Sequence, residues 1–491
     1  MRTLFNEPER SMTLIFDNRY AELGDRFSVS MGPAPLPDPE MVITNHSLLK
    51  PLGLDHFSKE DLLELFSGNS VPEGAAPLAM VYAGHQFGGY SPQLGDGRGI
   101  LIGQVRDNQN TLIDLHLKGA GKTPFSRMGD GRAVLRSSIR EFLASEALYH
   151  LGIPTTRALA ITTSDEPVRR ETIEKATLLM RASESHIRFG SLEYFSYTDQ
   201  HDELRRLCDY TIETHFPEIK DSENPYDALL MTASQKTGDL IAHWQAFGFA
   251  HGVMNTDNMS IIGQTFDYGP YGFMENYDPY YICNHSDDRG RYAFNRQPAI
   301  GHWNCQALAQ ALAPLTTAEA ARKALNHYQD TFLACYHNLM TKKLGLSRSI
   351  PDDKILYEDL LDLLEGYSVD YTNFFRSLSR YKGGSVPGSL ASIERCANAF
   401  SPWFDRYNER LKTQDQTEVD RHNAMCAVNP KFILRNYLAH VAIQTSENGD
   451  HSELHRLHEV LKAPFDEQSG QEHYAQEAPD WGRNLQISCS S

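Results

Sequence analysis

One short segment constrains this chain more than any other: His251-Gly-Val-Met-Asn-Thr-Asp257-Asn258-Met-Ser-Ile-Ile-Gly-Gln-Thr-Phe-Asp267-Tyr-Gly269. It reads as a loop, a short apolar strand, a turn, and then an Asp-aromatic-Gly. A hard divalent cation takes oxygen ligands, and two elements joined by a tight hairpin can bring such ligands to one point. Asn258 and Asp267 fit that need as metal ligands, and Asp257 sets a second carboxylate beside the amide. The fold therefore has to make this loop and the end of the hairpin converge.

At 491 residues the chain can bury a large core, as two to four domains or one large bilobal unit. A charged fraction of 22% and a hydrophobic fraction of 41% are ordinary for a soluble globular protein. The formal charge of −18 speaks against non-specific binding to nucleic acid or to an anionic membrane. Any phosphate site must then be a local cluster of Lys and Arg. The first residues, Met-Arg-Thr-Leu-Phe-Asn-Glu-Pro-Glu-Arg, hold no apolar run for a signal peptide, and their acidic residues disfavour a transit peptide. No apolar stretch reaches the roughly 18 residues of a transmembrane helix. The seven cysteines form no Cys-x-x-Cys pair, which suits a reducing compartment and points to the cytoplasm.

The patterning implies an α+β protein. Residues 1–78 mix short apolar pieces with Pro-rich loops and read as an N-terminal extension on a core. Residues 79–202 read as a strand-rich N-lobe with one strong helix, and residues 203–491 as a larger helical C-lobe. Leu101–Val105 and Thr111–Lys118 form a predicted β-hairpin. In its second strand Ile113, Leu115 and Leu117 face one way, and Asp114, His116 and Lys118 the other. Residues 133–151 carry Leu135, Ile139, Phe142 and Leu143 at helical spacing, with Glu141 opposite that stripe. Strand-like runs follow at Arg157–Thr163 and Lys175–Ala182. Helical patterns then cover 226–249, 304–313, 317–343, 353–365, 388–412 and 430–445.

This arrangement matches a bilobal protein-kinase-like fold. Kinases hold magnesium with an Asn of the catalytic loop and the Asp of Asp-Phe-Gly. Lys118 at a strand end and Glu141 on the next helix reproduce the order of the kinase Lys–Glu pair, which fixes an ammonium to grip phosphate. One kinase part is missing: the base Asp, five residues before the Asn, is replaced by Val253. The Gly-rich stretch with Gly95, Gly97 and Arg98 can bring its backbone close to phosphate oxygens. A second Gly-Asp-Gly-Arg, holding Asp130 and Gly131, precedes the helix of Glu141. Gly119-Ala-Gly-Lys122-Thr123 resembles the tail of a P-loop, but the first Gly of that motif falls at His116 and no helix is expected to follow. With Arg181 and Arg188 grouped beside Lys118 and Arg98, a small lobe rich in cations would draw a triphosphate inward. The nucleotide would then lie reversed, with its α-phosphate exposed. His251 is expected to brace the loop, and Asp257 to accept a proton from an incoming hydroxyl.

These residues resemble the selenoprotein O family, the YdiU-type protein adenylyltransferases with a pseudokinase fold. The resemblance runs from about Tyr82 to the C-terminus. It rests on Tyr82-Ala-Gly-His-Gln-Phe-Gly-Gly, Leu94-Gly-Asp-Gly-Arg-Gly, Leu117-Lys-Gly, Ser138-Ile-Arg-Glu-Phe, the His251–Met259 loop and Phe266-Asp-Tyr-Gly-Pro. It implies transfer of AMP from ATP to protein hydroxyls, with ATP bound in reverse. It implies nucleotide contacts by Gly95, Gly97, Arg98, Lys118, Asp130, Gly131, Arg181 and Arg188, with Asp267 also at the nucleotide through its metal. Glu141 would orient Lys118, Asn258 and Asp267 would hold magnesium or manganese, and Asp257 would be the catalytic base. Animal members carry a selenocysteine at the position of Cys489, in a Cys-x-x-selenocysteine motif. Here Gln486 stands where the first Cys would be, so a disulfide needs a distant partner, for which Cys283 is the candidate.

The leading expectation is thus a protein adenylyltransferase acting on Ser, Thr or Tyr and releasing pyrophosphate, with uridylyl transfer open. The protein is expected to be a monomer that binds neither nucleic acid nor membrane. A kinase-type phosphotransferase and a catalytically inactive nucleotide-binding scaffold are the alternatives.

Overall fold

The computed structural model describes residues 14–383, 391–483 and 485. Its strands are β1 (Ser28–Ser30), β2 (Glu40–Thr44), β3 (Leu78–Met80), β4 (Gly84–Gln86), β5 (Gly89–Ser91) and β6 (Gly99–Arg106). They continue as β7 (Leu112–Lys118), β8 (Ala133–Val134), β9 (Arg157–Arg169), β10 (Ile173–Ser183), β11 (Phe249–Ala250) and β12 (Gly272–Phe273). The first helices are α1 (His46–Leu49), α2 (Lys59–Phe66), α3 (Leu135–His150), α4 (Phe189–Tyr197), α5 (His201–His215) and α6 (Pro225–Phe247). Then come α7 (Gln297–Ala311), α8 (Ala318–Lys343), α9 (Asp353–Gly366), α10 (Tyr371–Leu378) and α11 (Ala397–Lys412). The last are α12 (Glu418–Cys426), α13 (Asn436–Glu447), α14 (Ser452–Leu461) and α15 (Asp480–Arg483).

The fold is mixed, with a strand-rich N-terminal sheet and helices dominating the rest, and the chain divides into two compact units. The first comprises 1–81, 95–135 and 158–184; the second comprises 82–94, 136–157 and 185–491. In the first unit the strand order is β1-β3-β6-β7-β10-β9-β2, and β8 pairs β10. Residues 28–44, within the stretch read as an extension, supply the two outer strands of this order. Leu101, Leu117, Leu159, Ile161, Leu178 and Met180 form its buried core. The expected hairpin is β6–β7, with Gly99 opposite Lys118 and a register shift between Leu101 and Gly103. The alternation along β7 does not separate a core face from a solvent face, because Asp114 and His116 are buried too. Gln104 Nε2 donates to Asp114 Oδ1 at 2.7 Å, which offsets the cost of burying that carboxylate.

In the second unit, α6 starts at an Asn224 cap with Pro225 in its first turn and ends at Gly248 in the left-handed conformation. That terminus delivers the chain into β11, which pairs β12 through Phe249–Phe273 and Ala250–Gly272. The loop holding Asp257, Asn258 and Asp267 is thus clamped at both ends by two residue pairs. The apolar strand expected inside it is absent. Ser260 makes only an isolated bridge to Arg188, and Thr265 one to Thr155. Deep side-chain burial, rather than a ladder, holds Ile261 and Phe266 in place. The helix α3 follows its predicted span closely, but it is buried on both sides, with Glu141 1% exposed. Among the described residues no helix is long and apolar enough to cross a membrane.

Candidate active site

Asp257 lies in a turn of 3-10 helix, Thr256–Asn258, and is 6% exposed. Its Oδ2 accepts a hydrogen bond from Gln86 Nε2 at 3.0 Å, while its Oδ1 is buried with no hydrogen-bond partner. Burial pushes the carboxyl up to about 6, against the lowering effects of Gln86 and Arg188. Gln86 arrives on the β4–β5 hairpin, which lies directly on the loop. A Cβ at Gly84 would stand 2.7 Å from Asp257 Oδ1, so only glycine allows this approach. The fully buried Glu193 of α4 fastens the two pieces together: it meets His85 Nδ1 at 2.9 Å and accepts from Thr256 Oγ1 at 2.7 Å. Phe87 N donates to Asn255 Oδ1 at 3.1 Å, and Tyr292 OH to the same oxygen at 2.6 Å.

Arg188 joins the Asp257 backbone to the Asp267 carboxylate. Its Nη1 lies 2.5 Å from both the Asp257 carbonyl oxygen and Asp267 Oδ2. Its guanidinium sits 4.2 Å from the Tyr82 ring centre and 4.7 Å from that of Phe266. Asp267 itself takes a left-handed φ of 57°. Grouping by sequence set Arg188 with Lys118, Arg98 and Arg181, but β10 ends at Ser183 and Arg188 belongs to the second unit with this loop. His251 braces the loop as expected: its Nε2 meets the Phe266 carbonyl at 3.2 Å, and Val253 N donates to its Nδ1 at 3.3 Å. Burial holds the His251 imidazolium form down. The ring stacks on Trp244, whose Nε1 donates to Thr265 Oγ1 at 3.0 Å.

Asn258 Nδ2 donates to the Val253 carbonyl at 3.0 Å, which leaves the side-chain oxygen as the atom it can offer a cation. That oxygen and the Asp267 carboxylate are oxygen donors, the kind that magnesium or manganese takes. Glu141 is near enough to Tyr271 to add to the effect of burial, which pushes that phenol up to about 12.

The first unit gathers the other sequence-predicted residues. Gly119 N and Ala120 N donate to the Arg98 carbonyl at 2.7 and 3.1 Å, and Gly121 N to the Gly131 carbonyl at 3.0 Å. The loops of Gly95, Gly97 and Arg98 and of Asp130 and Gly131 therefore meet beside the end of β7, where Lys118 stands. Gly95 lies against the Phe125 ring. Asp130 pairs with Arg170 at 2.5 Å, a hydrogen bond that holds its carboxyl below the usual range. The strand register sets Arg181 opposite His116, with Arg181 Nη2 2.9 Å from His116 Nδ1 and His116 Nε2 3.3 Å from Asp96 Oδ2. The stretch around Lys122 forms turns with no helix beginning at it, so the P-loop resemblance has no structural counterpart. Cys283 is buried, its Sγ 3.5 Å from the Ala250 carbonyl, and Cys489 lies outside the described residues.

Comparison with known proteins decides the family. The family model described as protein adenylyltransferase SelO matches residues 10–462. The chain belongs to the SelO family. The protein nucleotidyltransferase YdiU of Pseudomonas fluorescens (strain SBW25) is 50% identical over 487 residues, covering 97% of this chain and 99% of that protein. The protein of the same description from Stutzerimonas stutzeri (strain A1501) is 50% identical over 480 residues, with the same shares covered. As a SelO-family member this chain is an enzyme, a protein nucleotidyltransferase, whose substrates are proteins.

Within that family frame, Gln86, Glu193, Asn255 and Tyr292 are the site residues that sequence reading did not single out. The signal was present in Tyr82-Ala-Gly-His-Gln-Phe-Gly-Gly, which carried the resemblance but received no chemical role. A testable consequence concerns pH. If Asp257 is the base, it accepts a proton only when ionised, so the rate should rise with pH through its pKa and level off above it. A cation held by Asn258 would lower that value, which would place the acid limb at or below about pH 6. Gln86→Leu removes a hydrogen bond to the ionised form, so its limb should move to higher pH. A pH–kcat profile checks this, and a shift to lower pH would contradict it.

Proposed function

We propose that this enzyme transfers AMP from ATP to Ser, Thr or Tyr hydroxyls of proteins and releases pyrophosphate. The observation that carries the proposal is Asp257: a buried carboxylate with one oxygen fixed by Gln86 and the other without a hydrogen-bond partner, one residue before Asn258. In this reading Asp257 Oδ1 takes the proton of the attacking hydroxyl. The hydroxyl oxygen then forms its bond to the α-phosphorus, and the bond to the bridging oxygen of pyrophosphate breaks. Magnesium or manganese, when bound by Asn258 and Asp267, supplies charge neutralisation for the phosphates. Gly95, Gly97, Arg98, Lys118, Asp130, Gly131, Arg181 and Arg188 contact the nucleotide, with ATP reversed relative to a kinase. Lys118 and Glu141 keep the roles assigned to them from the sequence, within a bilobal kinase-like organisation.

The position of a kinase base supports the same choice. Val253 offers the loop a carbonyl oxygen, which Asn258 uses, and no carboxylate. We place the enzyme in the cytoplasm as a monomer without nucleic-acid or membrane partners, and keep Cys283 and Cys489 as its candidate redox pair. The products test the proposal. Turnover with a protein substrate should yield pyrophosphate, whereas ADP as the coproduct would establish a phosphotransferase. Absence of any turnover with a full nucleotide and metal complement would favour the scaffold.

A further inference from the structure

The helices α6 and α8 lie against each other at a narrow crossing. A Cβ at Gly238 would stand 2.7 Å from the Tyr328 carbonyl oxygen and 3.3 Å from Phe332 N, so the two backbones touch there. One residue beyond Gly238 on α6 stands Asp239, and one turn later, on the same face, His243. Less than a turn beyond Phe332 on α8 stands Cys335. The close crossing brings the three together. His243 Nδ1 is 3.7 Å from Asp239 Oδ2 and 3.9 Å from Cys335 Sγ, and all three ligand atoms lie within 4.8 Å of one another. Among the described residues this is the one group of three or more such side chains in ligand range.

We infer that Asp239, His243 and Cys335 form a binding site for one zinc-like transition-metal ion, separate from the oxygen ligands of Asn258 and Asp267. Donor chemistry selects the metal class. A thiolate, an imidazole and a carboxylate suit zinc or cobalt, whereas magnesium prefers oxygen alone. A tetrahedral ion about 2.0–2.3 Å from each donor sets its ligands about 3.3–3.8 Å apart, close to the spacing already present. The three ligands occupy one face of the tetrahedron, and the fourth position opens to solvent on the side of Asp239, whose side chain is 44% exposed. The helical i, i+4 pair fixes two donors on one rigid element, and Cys335 closes the set from the other helix.

Two local bonds are exchanged on binding. Without metal, Cys335 Sγ lies 3.9 Å from His243 Nδ1, and burial followed by the Asp239 carboxylate pushes the thiol up to about 12. Metal replaces the thiol proton, which leaves to solvent. His243 Nδ1 lies 2.9 Å from the Asp239 carbonyl oxygen, so the ring either gives up that bond or turns its Nε2 to the metal.

The experiment is a titration of the full chain with Co²⁺ alone, followed by competition with Zn²⁺. Binding should produce a near-ultraviolet thiolate-to-cobalt charge-transfer band that Zn²⁺ abolishes. Cys335→Ser should remove the band, and His243→Ala should weaken Zn²⁺ binding by more than the roughly 10–100-fold that loss of a mere supporting residue costs. Both substituted side chains are partly exposed, and unfolding in chelator confirms that each variant is folded. As a second readout, Zn²⁺ should slow alkylation of Cys335 in wild-type protein, while Cys396 and Cys426 serve as internal references. No charge-transfer band, a band that survives Cys335→Ser, or alkylation of Cys335 indifferent to Zn²⁺ would each overturn the site.

Discussion

Asp257→Asn is expected to lower kcat by about 10²–10⁴-fold, the usual share of a positioned base, while nucleotide affinity stays near that of the wild type. The amide keeps the shape of the carboxylate and can still meet Gln86, but it cannot take a proton. Because burial already disfavours the charge at this position, the neutral side chain should leave the fold at least as stable. Asp267→Ala should behave differently. It removes a charged oxygen ligand, so metal-dependent nucleotide binding should be lost together with turnover. Calorimetric titration with ATP and magnesium, read beside single-turnover rates, separates the two carboxylates. Equal losses of affinity in both variants would mean that Asp257 is a ligand or a structural cap and not the base.

Arg188→Ala should have the largest effect on stability of any change in the loop. The side chain is 2% exposed, lies between two aromatic rings, and joins the Asp257 carbonyl to the Asp267 carboxylate. Removing one partner of a buried ion pair strands the other, at a cost of about 3–5 kcal/mol. Asp267 is partly exposed, so the lower end of that range is expected. Arg188→Lys should rescue little of it, since an ammonium lacks the planar guanidinium that lies against both rings. Thermal unfolding of the two variants measures this. A loss confined to activity, with unfolding unchanged, would show that Arg188 does not hold the loop together.

Much of this was legible from local pattern. The β6–β7 hairpin and α3 announced themselves by period, and so did α6 and α8, because each carries a long stripe and firm terminal signals. The start of α7 at Gln297 was read seven residues late; Pro298 hides it, although proline is well tolerated in a first turn. The short strands β1, β2, β4 and β5 were missed because three to five residues give almost no period, and the partners of β1 and β2 lie far along the chain. Asn258 and Asp267 were proposed from spacing within one segment. Gln86 was not, since its contact with Asp257 spans 171 residues and nothing local marks it. The same limit explains Arg188. Charge composition grouped it with other cations, whereas a single backbone bridge to Ser260 places it with the loop.

The central claim is that the α-phosphate, not the γ-phosphate, is the one transferred. Protein substrate should be incubated with the enzyme and magnesium in parallel reactions, one with ATP labelled at the α-position and one with ATP labelled at the γ-position. The account predicts that label enters protein from the α-position only, and that Asp257→Asn slows it by about 10²–10⁴-fold. Label arriving from the γ-position would contradict the account and make the enzyme a kinase.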